Sequence, residues 1–115
     1  MNVLVTGGAG FIGSHLVSEL ISLGGKVCVL DNLSTGLEDN LSSEASFILG
    51  DIRDDASLKK AIQGSEVIFH LAAFASVPLS FSQKDICKQI NEIAFDNLLD
   101  LASRENVNRV ILASS

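Results

Sequence analysis

Glycines at positions 7, 10 and 13, in the run Thr6-Gly7-Gly8-Ala9-Gly10-Phe11-Ile12-Gly13, have the spacing of a segment built to meet an anion. A residue without a Cβ lets the backbone turn sharply and brings its N–H groups close to a phosphate. A helix that starts directly after the turn adds its unpaired first-turn N–H groups and a partial positive charge. The spacing Gly8-x-Gly10-x-x-Gly13 is nested in the same run and has the same physics. Glycines also serve ordinary turns, so the run needs support from residues elsewhere in the chain.

Two carboxylates supply that support. Asp31 follows Gly13 by 18 residues, near the separation of about 20 expected for an acidic residue that grips the ribose of a dinucleotide. One carboxylate can accept hydrogen bonds from both ribose hydroxyls, and its charge repels a 2′-phosphate. That favours NAD over NADP. The competing reading of Asp31 is a helix or turn cap. Asp51, in Asp51-Ile52-Arg53-Asp54, stands at the carboxyl end of another apolar run. In an open α/β sheet that edge is where ligands bind. His70 is read as a satisfied structural residue at a strand end rather than a catalytic one, and His15 as a solvated surface residue.

The elements that must position these residues follow from the apolar pattern. Buried strands are expected at 1–5, 26–30, 47–50, 67–73 and 110–112, the fourth running into the small residues Ala72 and Ala73. Between them the spacing predicts three helices. The first runs from Phe11 to Leu23, with the stripe Ile12, Leu16 and Leu20 inward and Ser14, His15, Ser18 and Glu19 outward, and Gly24-Gly25 stops it. The second spans Asp55 to Gln63, with Leu58, Ala61 and Ile62 inward. The third runs from Ser82 to Ser103, with Ile86, Ile90, Ile93, Ala94, Leu98 and Leu101 as its buried stripe. Residues 37–46 read as irregular, and 74–81 as a loop around Pro78, the only proline. Strands alternating with helices predict one α/β domain over 1–115. Its sheet is parallel and doubly wound, Rossmann-type, with right-handed crossovers and strand order 3-2-1-4-5.

Composition narrows the partners. Apolar residues make up 47% and charged residues 19%, which predicts a well-buried globular chain. The net charge of −6, with no basic cluster, argues against nucleic acid and anionic membrane surfaces. Cys28 and Cys87 are far apart and lack metal-ligand spacing, as expected of a reduced cytosolic protein. No targeting signal precedes the first strand, and no apolar run approaches a membrane-spanning length. The chain contains no tyrosine and no tryptophan.

Taken in order, six segments resemble the extended short-chain dehydrogenase/reductases, and within them the NAD-dependent nucleotide-sugar epimerases and dehydratases. They are Thr6 to Gly13, Asp31-Asn-Leu-Ser-Thr-Gly36, Gly50-Asp-Ile-Arg-Asp54, His70-Leu-Ala-Ala73 with Ser76-Val77, Asn91 with Asn97-Leu-Leu99, and Arg109 to Ser115. The resemblance extends over essentially the whole chain. The resemblance implies that Gly7, Gly10, Phe11 and Ile12 border the pyrophosphate and that Gly13 lets the helix pack closely. It implies that Asp31 holds the adenosine ribose, with Asn32, Ser34, Thr35 and Gly36 around it. Asp51 and Ile52 would flank the adenine, and Leu71, Ala72 and Ala73 would line the path to the nicotinamide ribose. Asn91 would sit beneath the cofactor, and Ser114 or Ser115 near the catalytic serine or threonine position, Ser115 being the preferred match.

The chain departs from the family pattern at Phe74, where many relatives are polar, and at Lys84, where proline is common. A larger departure concerns the base. The family uses a tyrosine in a Tyr-x-x-x-Lys motif to take a sugar hydroxyl proton while C4 of the sugar is transiently oxidised, and these 115 residues have no tyrosine. The resemblance therefore implies a longer parent enzyme, a homodimer pairing through the helix at Ser82–Ser103, whose cofactor cradle lies here. It implies no metal, and no turnover by these 115 residues alone. The rival readings are a stand-alone, non-catalytic dinucleotide-binding module and a relative that has lost cofactor binding.

Overall fold

The computed structural model of the chain describes residues 1–9, 11–32, 41, 43–71 and 92–112. Five strands form one parallel sheet: β1 (Asn2–Thr6), β2 (Lys26–Asp31), β3 (Ser46–Leu49), β4 (Val67–His70) and β5 (Arg109–Leu112). Their order is β3-β2-β1-β4-β5, the doubly wound order expected from the alternating pattern. The chain order passes outward from β1 to β2 and β3 on one side, and from β1 to β4 and β5 on the other. The gap between the carboxyl ends of β1 and β4 is therefore the topological switch point of the sheet.

Because side chains alternate across a strand, each strand feeds two cores. Leu4, Leu30 and Ile68 point to one face, where they pack with Leu58, Ala61 and Ile62 of helix α2 (Asp55–Ile62) and Ala94, Leu98 and Ala102 of helix α3 (Ala94–Arg104). Val3, Val5, Val27 and Val29 point to the other, where Val17 of helix α1 (Phe11–Ser22) covers them. Leu4, Leu30, Leu58, Ile62, Ile68 and Leu98 are each fully buried, and each contributes about 1.5–3 kcal/mol relative to an exposed side chain.

Of the expected inward face of α1, Leu16 and Leu20 pack half-buried against the cluster of Val3, Val5, Val27 and Val29, while Ile12 is 74% exposed. Gly13 and Val17, four apart, are buried on the neighbouring line of the helix, where Gly13 meets the turn. Ile93, 59% exposed just ahead of α3, also departs from its stripe, while Ala94, Leu98 and Ala102 are buried. Leu101 is half-buried, and Ile86 and Ile90 lie outside the described residues. Helix α1 ends at Ser22, and Gly24 follows at φ 89°. Strand β4 ends at His70, sooner than expected.

Candidate functional site

The carboxyl ends of β1, β2 and β4 bring the predicted residues to one edge. Thr6 closes β1, and Gly7 turns away from it at φ 77°, a conformation that glycine adopts without strain. Its N–H donates to the Leu30 carbonyl at 2.8 Å, tying the turn to β2. A Cβ on Gly13 would stand 2.3 Å from the Gly7 carbonyl oxygen and 2.8 Å from the Gly8 Cα. Helix α1 thus lies directly on the turn, closer than any side chain permits. Gly8 is equally confined: a Cβ there would meet Val29 Cγ1 at 2.7 Å and Val17 Cγ2 at 3.2 Å. The nested spacing had named Gly8 only as an alternative; its role is to let the turn sink between β2 and α1.

Asp31 lies on the α1 side of β2 by the same alternation that places Val27 and Val29 there. It is 8% exposed, and its Oδ2 accepts the Ala9 N–H at 3.0 Å. The turn-cap and ribose readings of Asp31 are therefore compatible, since one carboxylate offers about four acceptor positions.

Asp51 follows β3 and is held by its neighbours. Oδ1 accepts from the Arg53 backbone N–H at 2.9 Å and from Arg53 Nε at 3.0 Å, and Oδ2 from Arg53 Nη2 at 2.7 Å and Asn32 Nδ2 at 3.3 Å. The Arg53 guanidinium holds the Asp51 carboxyl below its ordinary value. Arg53 had not been singled out in the sequence, although an arginine two residues past a carboxylate is within reach of it. The Ile52 side chain is buried, 5% exposed, in the core of α2 and α3, so what it offers at this edge is backbone. Gly50 is confined as well, since a Cβ would meet Ser57 Oγ at 2.7 Å. That contact brings the start of α2, capped by Asp54 on the Ser57 N–H, close under the edge.

His70 closes β4. It is 2% exposed and lies opposite Thr6 in the sheet register. Its Nδ1 is 2.8 Å from Thr6 Oγ1, and its ring stacks on Phe95 of α3 with centroids 5.3 Å apart and planes 18° apart. Thr6 Oγ1 also accepts the Leu71 N–H at 3.1 Å. Burial pushes the imidazole down to about 4, so the ring is neutral at ordinary pH. The structural reading of His70 stands. Its partner, 64 residues away, was invisible in the sequence.

Leu71 is half-buried on the α1 face. Of the other expected site residues, Gly10, Ser34, Thr35, Gly36, Ala72, Ala73, Asn91, Ser114 and Ser115 lie outside the described residues, as does the Phe11 side chain. Ile12 is exposed beside the turn. Among the described residues, no cluster of His, Cys, Asp or Glu could hold a metal ion, and no helix is long and apolar enough to cross a membrane. A half-open cavity of about 530 Å³ lies at the opposite, amino-terminal edge, between Lys26, Cys28 and Lys60. It touches neither the glycine turn nor Asp31 nor Asp51, and burial pushes the Cys28 thiol up, away from reactivity. The switch-point edge, with the glycine turn, the start of α1 and the carboxylates Asp31 and Asp51, is the better candidate site.

Comparison with known proteins agrees with this geometry. A putative UDP-glucose 4-epimerase of Methanocaldococcus jannaschii is 40% identical over 114 residues, spanning 98% of this chain and 37% of that protein. The crystal structure of a Thermotoga maritima UDP-glucose 4-epimerase with UDP-glucose superposes with a TM-score of 0.93 at 41% identity, covering 100% of this chain and 38% of that one. A Thermus thermophilus UDP-glucose 4-epimerase in complex with NAD matches with the same TM-score at 38% identity, again over 100% and 38% of the two chains. The chain thus spans little more than a third of the length of these relatives. The model of the NAD dependent epimerase/dehydratase family matches residues 3–115, which include the glycine turn, both carboxylates and, but for Asn2, all five strands, and the chain belongs to that family.

Proposed function

We propose that these residues form the NAD-binding part of an enzyme that isomerises or dehydrates a nucleotide sugar by transient oxidation at C4, with UDP-glucose 4-epimerase as the specific reading. The observation that carries it is the packing of α1 on the glycine turn, with Gly13 at a distance no Cβ tolerates and Asp31 bound to Ala9. This cradle fits a dinucleotide. The turn offers backbone donors and a helix N-terminus to a pyrophosphate, and the Asp31 carboxylate stands beside it for a ribose. Bound there, NAD supplies a hydride acceptor and donor for the sugar carbon.

The chain's own residues bind and orient. Gly7, Gly10, Phe11 and Ile12 border the pyrophosphate. Asp31, with Asn32, Ser34, Thr35 and Gly36, receives the adenosine ribose and rejects a 2′-phosphate. Asp51 and the Ile52 backbone flank the base. Leu71, Ala72, Ala73 and Asn91 continue the site toward the reacting ring, and Ser115 stands at the position of the hydroxyl that assists the base. The base itself, a tyrosine, is not among these 115 residues. On this reading the protein acts as a cytoplasmic homodimer that pairs through the segment 82–103.

The absence of tyrosine also suits a second reading, a non-catalytic dinucleotide-binding module. Two measurements separate them. Isothermal titration of the 115-residue chain with NAD and NADP should show NAD binding and much weaker NADP binding under either reading. The full-length protein should interconvert UDP-glucose and UDP-galactose, or dehydrate a nucleotide hexose, under the first reading alone. No heat with NAD from a folded sample would defeat both.

A further inference from the structure

The last rung of the β1–β4 ladder lies at the switch point, and its two residues are joined by side chains as well as by register. Thr6 faces His70. The Leu71 N–H donates to the Thr6 carbonyl at 3.0 Å and lies 3.1 Å from Thr6 Oγ1, which in turn meets His70 Nδ1 at 2.8 Å. Phe95 backs the imidazole from α3. The backbone ladder is closed here by the Leu71 N–H on the Thr6 carbonyl. What the Thr6–His70 pair adds is lateral rigidity at one place, between the residue that precedes the glycine turn and the residue that precedes Leu71.

That place matters for a ligand crossing the sheet edge. Asp31 and Asp51 serve the β2 and β3 side of the turn. The other half of a dinucleotide must pass over the gap between β1 and β4. A ligand held at both ends is sensitive to the spacing of its two supports, whereas one held on one side is not.

We propose that His70 is a positioning residue for the cofactor: acting through Thr6, it fixes the spacing between the glycine turn and the Leu71 segment, and so the fit of the half of the dinucleotide that crosses from β1 to β4. The proposal rests on the NAD-binding reading above. It assigns His70 no contact with the cofactor and no proton transfer.

The test compares two ligands on the full-length protein. AMP probes the β2 and β3 side alone, and NAD probes the whole crossing. Thr6→Val, nearly isosteric, removes the hydroxyl, and His70→Phe keeps a ring against Phe95 without the nitrogen that meets Thr6. Each should weaken NAD about tenfold, the size of one buried hydrogen bond, and leave AMP within about twofold. Thr6→Ser should restore NAD affinity. Equal weakening of NAD and AMP, or wild-type NAD affinity in folded Thr6→Val, would overturn the positioning role. If His70→Phe fails to fold, Thr6→Val and Thr6→Ser decide alone. Failure of the wild-type protein to bind NAD would instead overturn the functional reading, and this proposal with it.

Discussion

The Asp31 carboxylate on β2 accepts the Ala9 N–H of the glycine turn at 3.0 Å. A negative charge on an element that must face a pyrophosphate looks unfavourable by itself. Its position explains it. Asp31 binds one donor of the turn from the β2 side, and the positive end of α1, which starts just after the turn, offsets its charge. The same contact fixes the carboxylate so that little side-chain entropy is lost when a ribose arrives.

Asp31 holds Ala9 in the structure and a ribose on the proposed reading, and different substitutions separate the two. Asp31→Asn keeps an oxygen that accepts from Ala9 and removes the charge. Stability should change by less than about 1 kcal/mol, NAD should weaken by about tenfold, and NADP should gain. Asp31→Ala leaves the Ala9 N–H unsatisfied and should cost about 1–3 kcal/mol of stability as well. Calorimetric titration with both cofactors and thermal melts check this. Unaltered NAD-to-NADP preference in Asp31→Asn would remove Asp31 from the ribose site.

Gly13 and Gly24 form a second contrast. A Cβ at Gly13 has nowhere to go, at 2.3 Å from the Gly7 carbonyl oxygen. Gly13→Ala should lift α1 off the turn, cost about 1–3 kcal/mol and abolish measurable NAD binding. Gly24, at φ 89°, has nothing within 4 Å of a Cβ position. Gly24→Ala should cost about 1 kcal/mol through backbone strain and leave NAD affinity unchanged. Equal losses of affinity in the two variants would mean that overall stability, not the cradle, governs binding.

The pH dependence of stability has a definite sign. An unfolded histidine titrates near 6.5, and buried His70 near 4. Between these values the unfolded chain binds a proton that the folded chain refuses, so stability is present above pH 6.5 and is lost as pH falls toward 4. The slope is about 1.4 kcal/mol per pH unit. Asp51, whose carboxyl is lowered by Arg53, acts in the same direction at more acid pH, below 3.8. Urea melts from pH 7 to pH 4 should show the fall, and His70→Phe should flatten it. A slope equally steep in that variant would place the lost protons elsewhere.

Local pattern was enough for the sheet. Continuous apolar runs at 1–5, 26–30 and 67–73 mark buried strands that alternate with helices, and that alternation implies the order β3-β2-β1-β4-β5. The glycine spacing and Asp31 were legible because both obey short-range rules. Helix phase was less so. Ile12 and Ile93 read as inward by hydropathy but are exposed, whereas Leu16, Leu20, Ala94 and Leu98 of the same stripes do pack inward. Contacts that depend on tertiary structure were not legible at all. Thr6 and His70 meet only because β1 and β4 are neighbours in register, and Gly8 and Gly50 are confined by side chains of other elements.

Arg53 offers the sharpest separation of site from scaffold. Its side chain is 41% exposed, and its ion pair with Asp51 at 2.7 Å is a surface pair of the kind worth about 0–1 kcal/mol. Arg53→Met should therefore change global stability by less than about 1 kcal/mol. It should also free the Asp51 carboxylate from the fork that orients it, leaving Asn32 at 3.3 Å as the remaining side-chain partner. The Asp51 carboxyl should then rise toward its ordinary value, seen by NMR titration of its carboxyl carbon. If Asp51 orients the base end of the cofactor, NAD should weaken about three- to tenfold with little change in melting temperature. Unchanged NAD affinity with a raised Asp51 carboxyl would show that the Arg53–Asp51 pair belongs to the fold at the end of β3 and not to the cofactor site.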